Sequence, residues 1–414
     1  MSTQLRAALL AGALVLIGSA ASAAPLTIEQ AIAKAIDAAP ALRASDASIE
    51  AARAGRRQAD VRPNPSVSVE AENFVGTGPF GVLRRAEITA EYSQPFERGG
   101  KRAARVTLAE REIGVAEAAQ TVARLELIAT IERAYIDVLI ADRAAEAARD
   151  RLSTEQLLQR EALRRVRGYK DPLFVETRAA ARVADSAIAR DIAETRRGTA
   201  RRQLASFWGG DGKDIEPVGE LARVIGPGSV GGLASADAAL IRAEADRAAA
   251  VVALEQTRAK QDFTVSGGTR FHRESNAVAL VAGVSIPLGR FDRNQGNIAR
   301  AQAEQRRIAF AAEAAQMDRQ RRLVGLQAEA DAALVRSQRL RAEVLPRARR
   351  ALAQVREGYN RGGFSFRDIQ DAADAIIAAD AELITALTAF RDVQSDIDRL
   401  TGRFDAVRPE GTRP

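Results

Sequence analysis

Two aspartates, Asp368 and Asp371, are the residues whose type and spacing most directly suggest chemistry. They lie three positions apart, so on a helix both carboxylates would project from one face. Carboxylates repeated around a pore attract cations and can hold a cation that blocks it. The same residues also fit plain helix chemistry, in which Ser365 caps the helix, Asp368 takes the third helical position and Asp371 faces solvent. The spacing alone leaves both interpretations open.

Most catalytic and metal-binding classes are excluded by what the chain contains. It has no Cys, one His and two Met, which rules out thiolate metal sites, Cys nucleophiles and multi-His metal centres. His272 has no second His or Cys to act with, and the single His argues against a Ser-His-Asp enzyme. We therefore expect no enzymatic activity, no cofactor and no resident metal.

The composition favours long helices over a large aromatic core. Of the 414 residues, 46% are hydrophobic but only 4% are aromatic, so the apolar residues are largely Ala. Chains rich in Ala and in charge typically form long helices. The net charge of +7 comes from basic and acidic residues mixed along the helices. Because no RNA-binding fingerprint accompanies it, we expect no nucleic-acid partner.

The first 23 residues are predicted to be a secretory signal peptide. Arg6 precedes an apolar stretch over residues 7–17, and small residues stand at Ala21 and Ala23, which predicts cleavage after Ala23. The alternative is a transmembrane anchor, for which the apolar stretch is short. We expect an exported protein whose membrane crossing, if any, is made by strands.

An internal duplication organises the rest of the chain. Residues 93–98 (SQPFER) recur as residues 285–290 (SIPLGR), and the sequence VRGY ending at Tyr169 recurs as VREGY ending at Tyr359. We therefore divide the chain into a first repeat over 24–207, a Gly/Pro-rich linker over 208–234, a second repeat over 235–404 and a disordered tail over 405–414.

Each repeat is predicted to contain a helix, two short strands, a very long helix and a final helix. The predicted helices are 28–61, 102–166 and 173–206 in the first repeat and 236–261, 294–356 and 364–401 in the second. A helix of about 60 residues reaches roughly 90 Å, which suits a device that spans a distance. Pro346 is expected to kink the second long helix or shift its packing.

The predicted strands alternate between apolar and polar residues. They cover residues 66–73, 86–93, 263–271 and 278–286, and each is close to the length that crosses a bilayer. Four strands cannot close a barrel, and open edges are not tolerated in lipid, so several copies must contribute. Three copies of four strands would give a twelve-stranded barrel. The alternative is a small soluble sheet on a helical protein.

At these residues the chain resembles the TolC-like outer membrane efflux protein family over its whole mature length. Residues 93–102 and 285–301 resemble the strand-to-helix junctions of the heavy-metal branch, the cobalt-zinc-cadmium type. The resemblance implies a mostly α fold with a small transmembrane β part, and a homotrimer whose barrel continues into a long periplasmic coiled-coil barrel. It also implies a location in the outer membrane of a Gram-negative bacterium, in contact with its lipid.

The function implied by the resemblance is a passive exit duct for divalent heavy-metal cations. Such a duct joins an inner-membrane transporter of the RND type through a periplasmic adaptor, also called a membrane fusion protein. Multidrug efflux and type I secretion remain alternatives on the same fold. A porin without partners and a soluble periplasmic coiled-coil scaffold are alternatives of other classes.

The resemblance also assigns roles to the two helical turns at the periplasmic tip. It places a gate at Asp368 and Asp371, with Arg361 and Arg367 forming ion pairs that hold the entrance shut. It assigns adaptor docking to a set of turn residues: Gly168, Tyr169, Asp171, Pro172, Gly358, Tyr359, Gly362, Gly363 and Ser365. Plain turn chemistry is the alternative for these residues.

Overall fold

A computed structural model describes residues 25–221 and 235–403. The predicted signal peptide, residues 222–234 of the predicted linker and the predicted C-terminal tail lie outside the described residues. Within them the order of elements agrees with the predicted duplication: helix, two strands, long helix and final helix occur twice.

The first repeat is built around one helix of 67 residues. Its helices are α1 (Ile28–Ala38), α2 (Pro40–Ala59), α3 (Lys101–Arg167) and α4 (Leu173–Ser206). The predicted single helix over 28–61 is wrong, because the chain breaks at Ala39, which is extended (φ −68°, ψ 111°). A residue before proline avoids the helical region, and Pro40 then starts α2 at a position where its missing N–H costs nothing.

In the second repeat the long helix is interrupted near its tip. The helices are α5 (Ser235–Arg258), α6 (Gln295–Arg339), α7 (Leu345–Arg361) and α8 (Phe366–Thr401). Between α6 and α7 the residues Leu340–Val344 form a π-helical turn. Pro346 has no N–H for the carbonyl four residues earlier, and a wider turn relieves the clash of its ring. The disturbance expected at Pro346 is confirmed.

Four antiparallel strands form one sheet, as predicted. They are β2 (Ser66–Glu72), β3 (Glu87–Phe96), β5 (Phe263–His272) and β6 (Ala277–Ser285), in the order β2-β3-β5-β6. The register aligns Ser68 with Glu91 and Gly268 with Val281. Exposed apolar side chains cover one face, among them Val67, Val69, Ile88, Tyr92, Val278 and Leu280. Strands β2 and β6 are the two edges, and neither has a neighbour on its outer side within residues 25–221 and 235–403.

The helices next to the sheet pack side by side in the same order as the strands they adjoin. In one half of the molecule α2 packs on α3, α3 on α5 and α5 on α6; in the other half α4 packs on α3, α3 on α8, and α8 on α6 and α7. The protomer therefore has one lateral edge made by α2 and α4 and another made by α6 and α7. No helix in the described ranges is both long and apolar enough to cross a membrane.

A small clamp ties the start of the described chain to the region between the repeats. Strand β1 (Pro25–Leu26) pairs in parallel with β4 (Glu216–Pro217). The buried Tyr135 hydroxyl of α3 donates to the Leu26 carbonyl at 2.7 Å and accepts from the Val218 N–H at 2.9 Å. An apolar cluster from α1, α3 and α4 lies beneath this clamp, so the clamp joins the first repeat to the linker at mid-height.

Candidate functional site at the helical tips

Two hairpins with the same backbone turn form the tip of the molecule. In the α3–α4 hairpin the Lys170 N–H donates to the Arg165 carbonyl at 2.9 Å, and in the α7–α8 hairpin Gly363 donates to Gly358 at 2.8 Å. Both turns pass through a left-handed residue, Tyr169 (φ 57°) and Gly362 (φ 88°). Corresponding positions are thus 193 residues apart, and the helix-capping positions Pro172 and Ser365 keep that offset.

This geometry corrects the alignment of the two tyrosines. The sequence similarity pairs Tyr169 with Tyr359 at an offset of 190, but the turn pairs Tyr169 with Gly362, and Tyr359 with Val166. Tyr359 lies in the last turn of α7 and is 0% exposed, whereas Tyr169 follows the end of α3 and is 99% exposed. Leu173 and Phe174 are also exposed beside Tyr169. The first hairpin therefore presents apolar side chains to solvent, and the second buries its tyrosine.

The two hairpins are joined by Arg165, Asp171 and Tyr359, which we call the tip interlock. The Arg165 guanidinium donates to both carboxylate oxygens of Asp171, each at 3.0 Å. The Tyr359 hydroxyl donates to the same carboxylate, and Arg165 donates to the Tyr359 carbonyl. Arg165 Cζ also lies 4.2 Å from the centre of the Tyr359 ring, a cation–π distance. Each member thus contacts both others.

The charges of the tip interlock are set by these contacts. Hydrogen bonds from Arg165 lower the pKa of Asp171, so its carboxylate stays ionised. Burial, followed by the neighbouring Asp171 carboxylate, raises the pKa of the Tyr359 phenol, so the hydroxyl keeps its proton and remains a donor. Of the predicted docking residues, Asp171 and Tyr359 therefore act inside the protomer. Sequence reasoning missed Arg165, since nothing local connects it to Tyr359.

Asp368 is confirmed as a capping residue. The Ser365 N–H and hydroxyl donate to Asp368 Oδ2 at 2.8 and 2.7 Å, and the Asp368 N–H donates to Ser365 Oγ at 3.4 Å. These hydrogen bonds lower the pKa of Asp368. Asp371 remains exposed and lies 3.9 Å from Arg367. Its carboxylate is therefore the freer of the two.

The predicted gate arginines pair within their own helices. Arg361 pairs with Glu357, one turn earlier in α7, and Arg367 with Asp371, one turn later in α8. Links between helices come from other arginines. Arg182 of α4 donates to Glu155 of α3 at 3.0 Å and to Asp374 of α8 at 3.1 Å. Within the protomer, Arg361 and Arg367 therefore do not join the hairpins.

The remaining predicted turn residues serve the backbone of the hairpins. Gly168 follows the last residue of α3, and Gly362 takes the left-handed position after α7. Gly358 makes room for an aromatic ring, because a methyl group there would lie 2.2 Å from Phe364 Cδ2. Pro172 caps α4 without a side-chain hydrogen bond, in contrast to Ser365.

Two polar side chains just behind the second turn are buried without full pairing. Both side-chain polar atoms of Gln370 and the Oε2 atom of Glu161 have no hydrogen-bond partner in the described part of the chain. Glu161 Oε1 does accept from Arg356 at 2.6 Å. An unpaired buried polar group costs about 1–3 kcal/mol, so these atoms lower the stability of the tip in this conformation.

A separate acidic cluster is buried at mid-height between α3 and α8. Glu132 is 3% exposed and accepts a hydrogen bond from Ser395 at 3.2 Å. Burial, followed by the nearby Asp398 carboxylate, raises the pKa of Glu132 to about 7 despite the opposing effect of Arg403 and Arg391. Asp398 itself accepts from Gln394 at 2.8 Å. We therefore expect Glu132 to change its charge near neutral pH.

The polar face of the sheet is mostly acidic. Glu70, Glu72, Glu87 and Glu91 belong to the first repeat, and Arg270 lies 3.5 Å from Glu72 and 3.4 Å from Glu87. His272 Nδ1 lies 3.4 Å from Glu87 Oε1. A search of the described residues finds no group of three side chains able to hold a metal ion.

Comparisons with known proteins agree on one kind of molecule. Residues 31–210 match the family model described as outer membrane efflux protein. The chain is 30% identical over 398 residues to the cobalt-zinc-cadmium resistance protein CzcC of Cupriavidus metallidurans, covering 92% of this chain and 91% of the relative. It is 29% identical over 271 residues to the nickel and cobalt resistance protein CnrC of the same organism, covering 63% of each.

Solved structures share the fold at low sequence identity. The outer membrane protein VceC from Vibrio cholerae matches with a TM-score of 0.70 and 18% identity, covering 91% of this chain and 96% of that one. The outer-membrane channel OprN matches with a TM-score of 0.72 and 18% identity, covering 91% of this chain and 89% of that one. CusC matches with a TM-score of 0.71 and 15% identity, covering 91% of this chain and 92% of that one.

Proposed function

We propose that this chain, which belongs to the outer membrane efflux protein family, assembles in three copies into a gated duct for divalent heavy-metal cations. The chain is an outer membrane efflux channel with a long periplasmic helical part. The duct is passive: it has no catalytic role, and an inner-membrane transporter of the RND type supplies the energy through a periplasmic adaptor.

The observation that carries the proposal is the sheet with two free edges. Its apolar face suits lipid, but β2 and β6 both leave backbone groups unpaired, which a bilayer does not tolerate. Pairing β6 of one copy with β2 of the next satisfies both edges, and the edge of α6 and α7 then meets the edge of α2 and α4. Three copies give a closed barrel of twelve strands.

Engineered disulfides test this closure, because the chain has no native Cys. A panel of Cys pairs with one member on β2 and one on β6 should yield covalent trimers after oxidation in membranes. Pairs on β2 and β5, which are not neighbours, are the control and should stay monomeric. Absence of trimers from every β2–β6 pair would reject the barrel.

We place the gate at the tip, where the interlock holds the hairpins together and Asp371 offers an exposed carboxylate. In a trimer three copies of Asp371 form a ring that attracts cations, with Asp368 close behind and Arg361 and Arg367 at its rim. The unpaired Gln370 and Glu161 atoms favour a second arrangement of the tip. Opening would be a shift of population between the two forms.

Single-channel recording in planar bilayers tests the gate. The double substitution Asp171→Asn and Tyr359→Phe should raise conductance, and Asp371→Ala should weaken block by multivalent cations. Asp185→Asn is the matched control, because Asp185 pairs with Arg151 on the outside of the same hairpin. Unchanged conductance in the double variant would show that the tip interlock does not hold the gate closed.

We assign adaptor docking to the first hairpin above all. Tyr169, Leu173 and Phe174 are exposed there, and apolar side chains without an intramolecular partner suit an interface. Gly168, Pro172 and the glycines of the second hairpin shape the surface beside them. Replacing Tyr169 and Phe174 with Ser should abolish co-purification of the periplasmic adaptor, whereas Ile192→Ser, an exposed change further along α4, should not.

The metal substrate is proposed from the named resistance proteins among the relatives. With no three-ligand metal group in the described residues, we expect the transporter to select the ion and the duct to be permissive. A deletion strain should become sensitive to cobalt, zinc or cadmium. Sensitivity to drugs alone would favour multidrug efflux instead, and a secretion defect would favour a type I duct.

A further inference from the structure

A basic groove lies where the sheet passes into the helices. Its walls come from three short segments, after β3, between α5 and β5, and between β6 and α6. The lining residues used below are Arg98, Gly99, Lys260, Leu288, Arg290 and Arg293. The gate and the docking tip lie at the other end of α3, so the proposed function does not account for this groove.

The cations of this groove are not neutralised by the protein. Arg98, Lys260, Arg290 and Arg293 make no ion pair with a carboxylate in the described residues. The Arg290 guanidinium stacks on Phe291, and the Arg293 guanidinium donates to the Gly289 carbonyl. The nearby Asp292 accepts from the Asn294 N–H. Four positive charges therefore remain available within one groove.

Three other cations after β3 are paired within the protein. Lys101 pairs with Asp262 at 2.8 Å, Arg102 pairs with Asp60 at 2.8 Å, and Arg105 pairs with Glu97. Arg98, which aligns with Arg290 in the duplicated sequences SQPFER and SIPLGR, instead lines the groove. The groove therefore gathers cations from both junctions, together with Lys260.

Large apolar side chains stand beside the unpaired cations. Leu288 is 89% exposed and Phe291 is 84% exposed, directly after the strand whose outer face is apolar. At the edge of a bilayer such side chains enter the acyl region while arginine and lysine reach the phosphates. Gly99 helps to shape the groove, because a methyl group there would lie 2.3 Å from Lys260 Cδ.

We propose that this groove binds the phosphate headgroup of an anionic glycerophospholipid in the periplasmic leaflet of the outer membrane. Arg98, Lys260, Arg290 and Arg293 contact the phosphate, and Leu288 and Phe291 contact the acyl chains. The N-terminus of α6 follows Arg293. Its first N–H groups add partial positive charge to the groove. The inference rests on the proposed channel, since it requires the sheet to lie in the membrane. The lipid would fix the height of each protomer at the membrane boundary.

Lipid retention by the purified channel tests the site. Native mass spectrometry would compare the channel in zwitterionic phosphatidylcholine with the channel after addition of phosphatidylglycerol or cardiolipin. The wild type should retain the anionic lipids. The variant Lys260→Gln, Arg290→Gln and Arg293→Gln should bind them at least about tenfold more weakly, because each basic contact contributes to binding of an anionic headgroup.

A second variant removes the same charge elsewhere. The substitutions Arg306→Gln, Arg339→Gln and Arg341→Gln lie along α6 and its π-helical turn, away from the boundary, and should leave retention within about twofold of the wild type. Equal loss in both variants, or no preference for anionic lipid in the wild type, would overturn the proposal.

Two further measurements separate the possible explanations. Leu288→Ser with Phe291→Ser should weaken lipid retention, and competition by millimolar inorganic phosphate should be weak. Full competition by phosphate would show an anion site that does not require lipid, and would overturn the lipid assignment. Oligomeric state and conductance are recorded on the same samples. A wild type that forms no channel would refute the proposed function, whereas a conducting trimer that retains no anionic lipid refutes only this inference.

Discussion

The two tip hairpins share one backbone turn but use it in opposite ways. The first exposes Tyr169 at the left-handed position of the turn, where the second has Gly362. The second instead buries Tyr359 against Arg165 and Asp171 of the first. Duplication has thus preserved the turn while the side chains on it diverged into an outward-facing hairpin and an inward-facing one.

The cost of the outward-facing hairpin points to a reason for it. A left-handed conformation costs a residue with a side chain about 1–2 kcal/mol, and glycine avoids that cost. Tyr169 is fully exposed, so no contact within the protomer offsets its strain. A strained residue of this kind commonly serves a contact made outside the chain, which agrees with the proposed docking role.

The largest difference between the hairpins should appear when each tyrosine is removed. Tyr359→Ala leaves a cavity and removes the phenol hydrogen bond to Asp171, which keeps its ion pair with Arg165, so the free energy of unfolding should fall by about 3–5 kcal/mol. Tyr169→Ala removes an exposed ring and should change stability by less than about 0.5 kcal/mol. Urea unfolding in detergent measures both. Similar losses in the two variants would contradict the assignment of one inward and one outward tyrosine.

The pH dependence separates the interlock from the acidic cluster at mid-height. The pKa of Asp171 is lowered, so its contribution is present above the ordinary value of 3.8 and is lost only as the pH falls through the lowered pKa. The pKa of Glu132 is raised from 4.5 to about 7, so its contribution is full below 4.5 and is lost as the pH rises through 7.

In the wild type, the free energy of unfolding should therefore fall by roughly 3 kcal/mol between pH 4.5 and pH 8 because of Glu132. In Glu132→Gln this fall should be absent, which unfolding midpoints across that range would measure. Asp171→Asn should lower stability without changing the slope over the same range. An unchanged slope in Glu132→Gln would assign the pH dependence to other groups.

Exchange of the left-handed residues tests the strain directly. Tyr169→Gly should raise the free energy of unfolding by about 1 kcal/mol, and Gly362→Ala should lower it by about 1–2 kcal/mol. The gain in Tyr169→Gly should come with weaker adaptor binding, measured by co-purification. A stabilised variant that binds the adaptor as well as the wild type would leave the exposed tyrosine without an explained role.

The smallest effect concerns the residues that begin the final helices. Ser365→Ala removes the hydroxyl of the capping box and should cost about 1 kcal/mol. Pro172→Ala, at the corresponding position, removes no side-chain hydrogen bond and should cost less. Thermal unfolding midpoints of the two variants give the comparison, and a greater loss in Pro172→Ala would show that the capping box contributes little.

The sequence was sufficient for most of the fold because the signals are local and periodic. Alternation along β2, β3 and β6 and the uninterrupted pattern of α3 each specify one element, and the strand ends fall within three residues of those predicted. The missed break at Ala39 is an error of interpretation, because Pro40 is a local signal against one continuous helix. Proline lacks the N–H of a helix interior and disfavours a helical conformation of the residue before it.

The candidate site was predictable only where its partners are close in sequence. Ser365 and Asp368 are three positions apart, so their capping box could be read directly. Arg165 and Tyr359 are separated by 194 positions and meet because α3 and α7 end at the same height. The sequence similarity that paired Tyr169 with Tyr359 placed the two turns three positions out of register. It compared residue types, whereas the hydrogen bonds of the backbone define each turn.

The clamp at Tyr135 has a consequence for the order of folding. Pro25 pairs with Glu216, 191 positions later, and α3 and α4 lie between them. Contacts between elements that adjoin in the chain form more readily than pairings of distant segments, because the entropic cost of closing a loop grows with its length. We therefore expect the α3–α4 hairpin to form early and the amino-terminal segment to join the fold late.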